Sequence, residues 1–273
     1  MISFNSKKQL IAFLAEDIGK GDITSVLLPR KKITAKIISR ERAIVAGVSH
    51  AMKIFKLKGC SVTIVKKDGS KVNPNDVILK VTGDAGKILT CERTALNLLT
   101  RMSGIATQTN ELVKKISDKK TKLYATRKTA PGLRYFDKEA VEIGGGVRHR
   151  LRLDEMVMIK DNHIAVSDSL LSLIKSAKKK HKKFEVEVED TADAVLAARE
   201  GATIIMLDNF TPEQIKKTIQ VLKVEKLRGK VLLEASGGIN AKNIAKYGKT
   251  GVDIISVGSI TNSVKGIDMS LEI

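Results

Sequence analysis

The chain has 273 residues, 42% of them hydrophobic, and 49 Lys and Arg against 30 Asp and Glu give a formal net charge of +19. That length and apolar content support one large α/β domain or two smaller ones around a substantial core, which excludes intrinsic disorder. The longest apolar runs, such as Ala43 to Val48, fall far short of the about 20 residues that span a bilayer, Met1 to Leu14 lacks the layout of a signal peptide, and Cys60 and Cys91 are too few for a disulfide framework or a zinc site, so a cytoplasmic protein is expected.

Taken in order, the first elements form a small α+β set. Helical periodicity runs from Lys7 to Ile18, and β-rich pieces follow at Ile33 to Ser39, Ser61 to Lys66 and Asp76 to Thr82. Asp68-Gly69 and Asn73-Pro74 supply turns between them. Ile88 to Ser117 reads as one kinked helix or two consecutive ones, with Ser103-Gly104 as the break.

From Lys122 a strand-then-helix rhythm sets in. The apolar runs are Leu123 to Ala125, Met156 to Ile159, Phe184 to Val188, Thr203 to Leu207, Val231 to Ala235 and Ile254 to Val257. Helical patterns between them start at Thr191, at Thr211-Pro212 and at Asn240. Repeated βα units imply a parallel sheet, and six or more suggest a barrel of the TIM type, with an open doubly wound sheet as the alternative.

Polar residues collect at the carboxyl ends of those strands, the face on which a β/α barrel builds its active site. Thr126-Arg127-Lys128 follows the first strand and Lys160-Asp161-Asn162-His163 the second. Glu187 lies within the third, Asp208-Asn209 closes the fourth, Ser236-Gly237-Gly238 follows the fifth and Gly258-Ser259 the sixth. Arg127, Lys128, Arg150 and Lys160, joined by His149 when protonated, make a cationic cluster suited to a multiply charged anion. Ser236, Gly237, Gly238, Gly258 and Ser259 fit the phosphate site that barrels build from their last loops. Glu187 and Asp208 suit holding Mg²⁺ against a pyrophosphate, bonding ribose hydroxyls or stabilising a cationic sugar. The residues thus predict a sugar-phosphate enzyme with a polyanionic second substrate. His50 and His181 are expected at the surface, and Cys60 and Cys91 as buried apolar side chains.

The charge alone invites a nucleic-acid reading. The basic runs, Lys119-Lys120 and Lys178 to Lys183, carry no interleaved aromatics, and no helix-turn-helix or zinc-finger pattern is present. They read as a solvated surface.

Further motifs carry a family resemblance: Glu16 to Asp22, Glu92-Arg93-Thr94-Ala95-Leu96-Asn97, Ser103 to Thr107, TRKTAPGLR at Thr126 to Arg134, GGGVRHR at Gly144 to Arg150, MIKDNHI at Met158 to Ile164, EVEVE at Glu185 to Glu189, MLDNF at Met206 to Phe210, LEASGGI at Leu233 to Ile239 and DIISVGSIT at Asp253 to Thr261. In this order they resemble the quinolinate phosphoribosyltransferases, the carboxylating nicotinate-nucleotide pyrophosphorylases. The resemblance implies the conversion of quinolinate and phosphoribosyl pyrophosphate to nicotinate mononucleotide, pyrophosphate and CO₂ in NAD biosynthesis, with Mg²⁺ and no organic cofactor. It implies an amino-terminal α/β sandwich at residues 1–105, to which residues 264–273 return, and an incomplete TIM-like β/α barrel at 106–263.

Position by position, Thr126, Arg127, Lys128, His149, Arg150 and Lys160 resemble the residues that hold the two substrates, with Lys160, Glu187 and Asp208 in the catalytic positions and Glu187 and Asp208 near the metal. Ser236, Gly237, Gly238, Gly258 and Ser259 resemble the 5-phosphate site. Arg93 resembles an arginine given to the neighbouring subunit's site, which implies a homodimer; neither nucleic acid nor membrane is implied as a partner. Three positions depart from the pattern: Ala130 where a second threonine is common, and Arg148 and Arg152 beside the His-Arg pair, where they could add to anion capture or pair with Asp154 and Glu155. A paralogous group associated with molybdate uptake shares the fold but lacks the Lys-Asp-Asn-His segment, which Lys160 to His163 keep.

Overall fold

The structure, a computed structural model, describes residues 6–273. In chain order the first elements are helix α1 (Ser6–Ile18), strands β1 (Lys32–Ser39) and β2 (Ala43–Ile44), helix α2 (Val48–Leu57), strands β3 (Ser61–Ile64), β4 (Lys71–Val72) and β5 (Val77–Asp84), and helix α3 (Ala85–Lys115). Then come β6 (Lys122–Tyr124), α4 (Arg134–Ile143), β7 (Val157–Ile159), α5 (Asp161–Ala165), α6 (Leu170–Lys180), β8 (Phe184–Val188) and α7 (Thr191–Glu200). The last are β9 (Ile204–Asp208), α8 (Pro212–Val224), β10 (Leu232–Ser236), α9 (Ile244–Tyr247), β11 (Ile254–Ser256), α10 (Ser259–Asn262) and β12 (Met269–Glu272). Among the described residues no helix is long and apolar enough to cross a membrane.

Contacts gather the chain into two compact units. One is the chain up to Asn110 with Ala130–Gly145 and Ser263–Ile273; the other is Glu111–Thr129 with Gly146–Asn262. The first holds an antiparallel sheet in the order β12-β1-β5-β3. Strand β1 is amphipathic, with Ala35 and Ile37 buried while Lys32, Thr34 and Lys36 face solvent, the two-residue alternation of a sheet with one covered face. Its other edge takes β12, with Lys36 opposite Glu272 and Ser39 opposite Met269.

Helix α3 is continuous, with no break at Ser103-Gly104. Both small residues serve close packing instead. Ser103 Oγ accepts from the Ala46 N–H at 3.0 Å and donates to the Ala46 carbonyl at 3.2 Å, and a Cβ on Gly104 would fall 2.1 Å from the Lys265 carbonyl oxygen. Helix α4 joins this unit because Arg101 forks onto the buried Asp137 at 2.7 and 2.9 Å. His50, expected at the surface, is 2% exposed. Its Nε2 lies 2.6 Å from Glu139 Oε2 and its ring stands edge-on to Phe136 at 4.9 Å, so a carboxylate and an aromatic ring hold it in the core, while its Nδ1 is buried without a hydrogen-bond partner.

The second unit is the barrel-like one. Six parallel strands follow the order β6-β11-β10-β9-β8-β7, short of the eight of a closed barrel. Two of its helices start where the sequence signals lie, whereas the one expected from Asn240 is a single turn, α9, that begins at Ile244. Thr211 caps α8 in a reciprocal box with Gln214, with Pro212 opening the helix, and Asp190, one residue before the expected Thr191, caps α7.

Candidate active site

Residues two apart on a strand share a face, so each inward strand end offers one residue to the mouth and one to the layer beneath it. The mouth members are Thr126, Lys160, Glu187, Asp208, Ser236 and Gly258, and the floor members two residues earlier are Tyr124, Met158, Glu185, Met206, Glu234 and Ser256. A cavity of 220 Å³ opens there. Its lining brings together Thr126, Arg127, Lys128, His149, Arg150, Lys160, Glu187, Asp208 and Ser236, all chosen from sequence, with the floor residues Met158, Met206, Glu234 and Ser256.

The other chosen residues stand elsewhere. Gly237 and Gly238 are outside the lining, both at positive φ (89° and 62°), and a Cβ on Gly237 would lie 2.1 Å from Asn209 Oδ1. Gly258 and Ser259 open α10, with Gly258 facing the Lys128 stem, 3.2 Å from where its Cβ would be. Arg93 is exposed on α3 and lines no part of this cavity.

The cations are held close enough to repel. Burial, and then the neighbouring Arg127, lower the affinity of Arg150 for its proton. Arg150 Nη1 donates to the Met156 carbonyl at 2.9 Å, while Arg127 Nε is buried with no hydrogen-bond partner. Such a pair is stabilised when an anion arrives. Lys160 is ion-paired to Glu187, and the Lys160 N–H donates to His163 Nδ1 at 3.0 Å, tying the lysine's backbone to α5. Asp208 accepts from Asn209 Nδ2 at 2.7 Å. The extra Arg152 pairs with Asp154 at 3.0 Å and Glu155 at 3.7 Å.

Sequence reasoning missed the floor. Glu234 is fully buried, and burial followed by the charge of Glu185 pushes its carboxyl up to about 8. Glu185 is equally buried, and neither carboxylate makes a well-aligned hydrogen bond. His149 stands beside it with its Nε2 3.2 Å from Glu185 Oε2. The signal was present in the sequence: each floor residue precedes a mouth residue by two.

Mg²⁺ takes one or two carboxylates and completes its octahedron with substrate phosphates and water. Glu187 and Asp208, on adjacent strands and facing one cavity, fit that donor set, and no larger cluster of metal-binding side chains exists among the described residues.

A six-stranded β/α barrel whose mouth gathers four cationic side chains and a histidine around two carboxylates is, by class, a barrel protein with a strongly cationic cavity. The family description "Quinolinate phosphoribosyl transferase, N-terminal domain" matches residues 22–103 and its C-terminal counterpart residues 105–272, so the chain belongs to the quinolinate phosphoribosyl transferase family. It is 44% identical over 255 residues to a protein of Archaeoglobus fulgidus named a probable nicotinate-nucleotide pyrophosphorylase (carboxylating), covering 93% of this chain and 98% of that one. It is 38% identical over 271 residues to the nicotinate-nucleotide pyrophosphorylase (carboxylating) of Mycobacterium leprae, covering 95% and 94%. The solved nicotinate-nucleotide pyrophosphorylase of Francisella tularensis superposes with a TM-score of 0.91 at 42% identity, covering 98% of this chain and 95% of that one.

Proposed function

We propose that the protein is a carboxylating nicotinate-nucleotide pyrophosphorylase: it transfers the phosphoribosyl group of phosphoribosyl pyrophosphate to the ring nitrogen of quinolinate and releases pyrophosphate and CO₂, in NAD biosynthesis. The observation that carries this reading is the convergence of Arg127, Lys128, His149, Arg150 and Lys160 with Glu187 and Asp208 on one cavity in a chain of this family.

The cations bind the substrate carboxylates, with arginine able to fork onto them and lysine acting as a point charge. Glu187 and Asp208 would hold Mg²⁺, which would supply positive charge to neutralise the pyrophosphate leaving group. Ser236, Gly237, Gly238, Gly258 and Ser259 receive the 5-phosphate through backbone N–H groups and hydroxyls. The pyridine nitrogen attacks the anomeric carbon as the bond to pyrophosphate breaks. The ring then carries a positive charge, accepts the electron pair left at the adjacent carbon when its carboxylate departs as CO₂, and takes up a proton there. The substrate is its own electron sink, so no organic cofactor is required, and the protein contributes positioning and electrostatics. The working form is a cytoplasmic homodimer in which the exposed Arg93 serves the neighbouring site.

Incubation with quinolinate, phosphoribosyl pyrophosphate and Mg²⁺ tests the reading. Nicotinate mononucleotide is the expected product; absence of product, or the same product from nicotinate, overturns it.

A further inference from the structure

His149, in the cavity lining, is held in a constrained backbone conformation. It has a side chain at φ 54°, a left-handed conformation that costs a non-glycine residue of order 1 kcal/mol and persists where its surroundings enforce it. Three features enforce it here. Val147 is bonded on both sides to the β6 edge, its N–H to the Leu123 carbonyl and its carbonyl to the Ala125 N–H, both at 2.9 Å. The Tyr124 ring lies against the imidazole at 5.5 Å. Beneath, Glu185 of β8 brings Oε2 to 3.2 Å from His149 Nε2. Glu185 is 0% exposed, and its register partners are Met158 on β7 and Ile204 on β9. An apolar side chain of either kind would fill that space without the cost of a buried carboxylate.

We propose that Glu185 is a positioning residue for the quinolinate carboxylates: it seats the imidazole of His149 from below and so fixes the ring that the cavity presents to the substrate. The inference rests on the proposed role of His149 in the site. Glu185 itself touches no substrate; it acts through the histidine. The approach is near hydrogen-bonding distance but not aligned, as is common for site contacts that tighten only when the substrate is bound.

The test is a double-mutant cycle on the full-length protein, reading kcat/KM for quinolinate and, separately, KM for phosphoribosyl pyrophosphate. Glu185→Gln keeps the shape and Glu185→Met copies its β7 partner Met158, so at least one variant keeps the layer filled. Each should lower kcat/KM for quinolinate by about tenfold or more, the worth of one buried pairing to a charged group, with KM for phosphoribosyl pyrophosphate unchanged within about twofold. His149→Ala should lose at least as much, and adding Glu185→Gln to it should cost nothing further, because the effect passes through the missing ring. A folded Gln or Met variant with full kcat/KM for quinolinate overturns the proposal, as do losses that multiply in the double variant. A harmless His149→Ala instead overturns the parent assignment of the site, a separate failure.

Discussion

Replacing Glu234 by glutamine probes the electrostatics of the barrel floor. The carboxyl has an ordinary value of 4.5, and in the fold burial, then Glu185, push it up to about 8. Across that window the folded chain keeps a proton that the unfolded chain releases, so the stability linked to this group is fully present below 4.5 and is lost as pH rises to about 8. At about 1.36 kcal/mol per pH unit the span is worth about 5 kcal/mol at its upper end. Relaxation around a buried charge and partial solvation generally reduce such a cost, here to about 2–3 kcal/mol net. Glutamine has the same shape and no charge to lose. The variant should therefore match the wild type near pH 5 and exceed its stability by about 2–3 kcal/mol at pH 8, read from urea unfolding followed by circular dichroism at pH 5, 6.5 and 8. A gap that does not widen with pH, or a variant less stable at pH 8, refutes the reasoning.

Other consequences are as concrete. Lys160→Ala should lower kcat/KM by about a hundredfold or more while leaving the circular dichroism spectrum unchanged; near-normal turnover at low quinolinate removes Lys160 from the site. Gly104→Ala forces a Cβ to 2.1 Å from the Lys265 carbonyl oxygen and should destabilise the protein by about 2–4 kcal/mol, measured by thermal and urea unfolding. If Arg93 serves the neighbouring site, inactive Arg93→Ala and Lys160→Ala chains, mixed equally and reassembled, should regain about one quarter of wild-type activity, because half the dimers each hold one intact site. A dead mixture of confirmed hybrids argues against sharing.

The barrel was legible because its strands are short apolar runs that end in polar residues, a pattern that survives without knowledge of contacts. Thr126, Lys160, Glu187, Asp208 and Ser236 were visible for the same reason: each stands where its strand meets the mouth. Glu185 and Glu234 carried the same alternation, yet a carboxylate beneath the mouth runs against the usual cost of burial, and a sequence does not say which charge is buried. Ser103-Gly104 shows the opposite failure. A helix-breaking pair by propensity is kept helical because both positions meet neighbouring backbone, at Ala46 and Lys265, that only small residues admit. His50 was misplaced because its partners, Glu139 and Phe136, lie far away in sequence on α4, and no local pattern around His50 announces them.

The central claim is that one site joins glycosyl transfer to loss of a carboxylate. The most direct measurement uses quinolinate labelled with ¹³C in the carboxylate beside the ring nitrogen, with phosphoribosyl pyrophosphate and Mg²⁺, following label and pyrophosphate together. The label should leave as CO₂ in equal amount to the pyrophosphate released, and only when phosphoribosyl pyrophosphate is present. Pyrophosphate release with the label retained in the nucleotide, or label lost without phosphoribosyl pyrophosphate, contradicts the account.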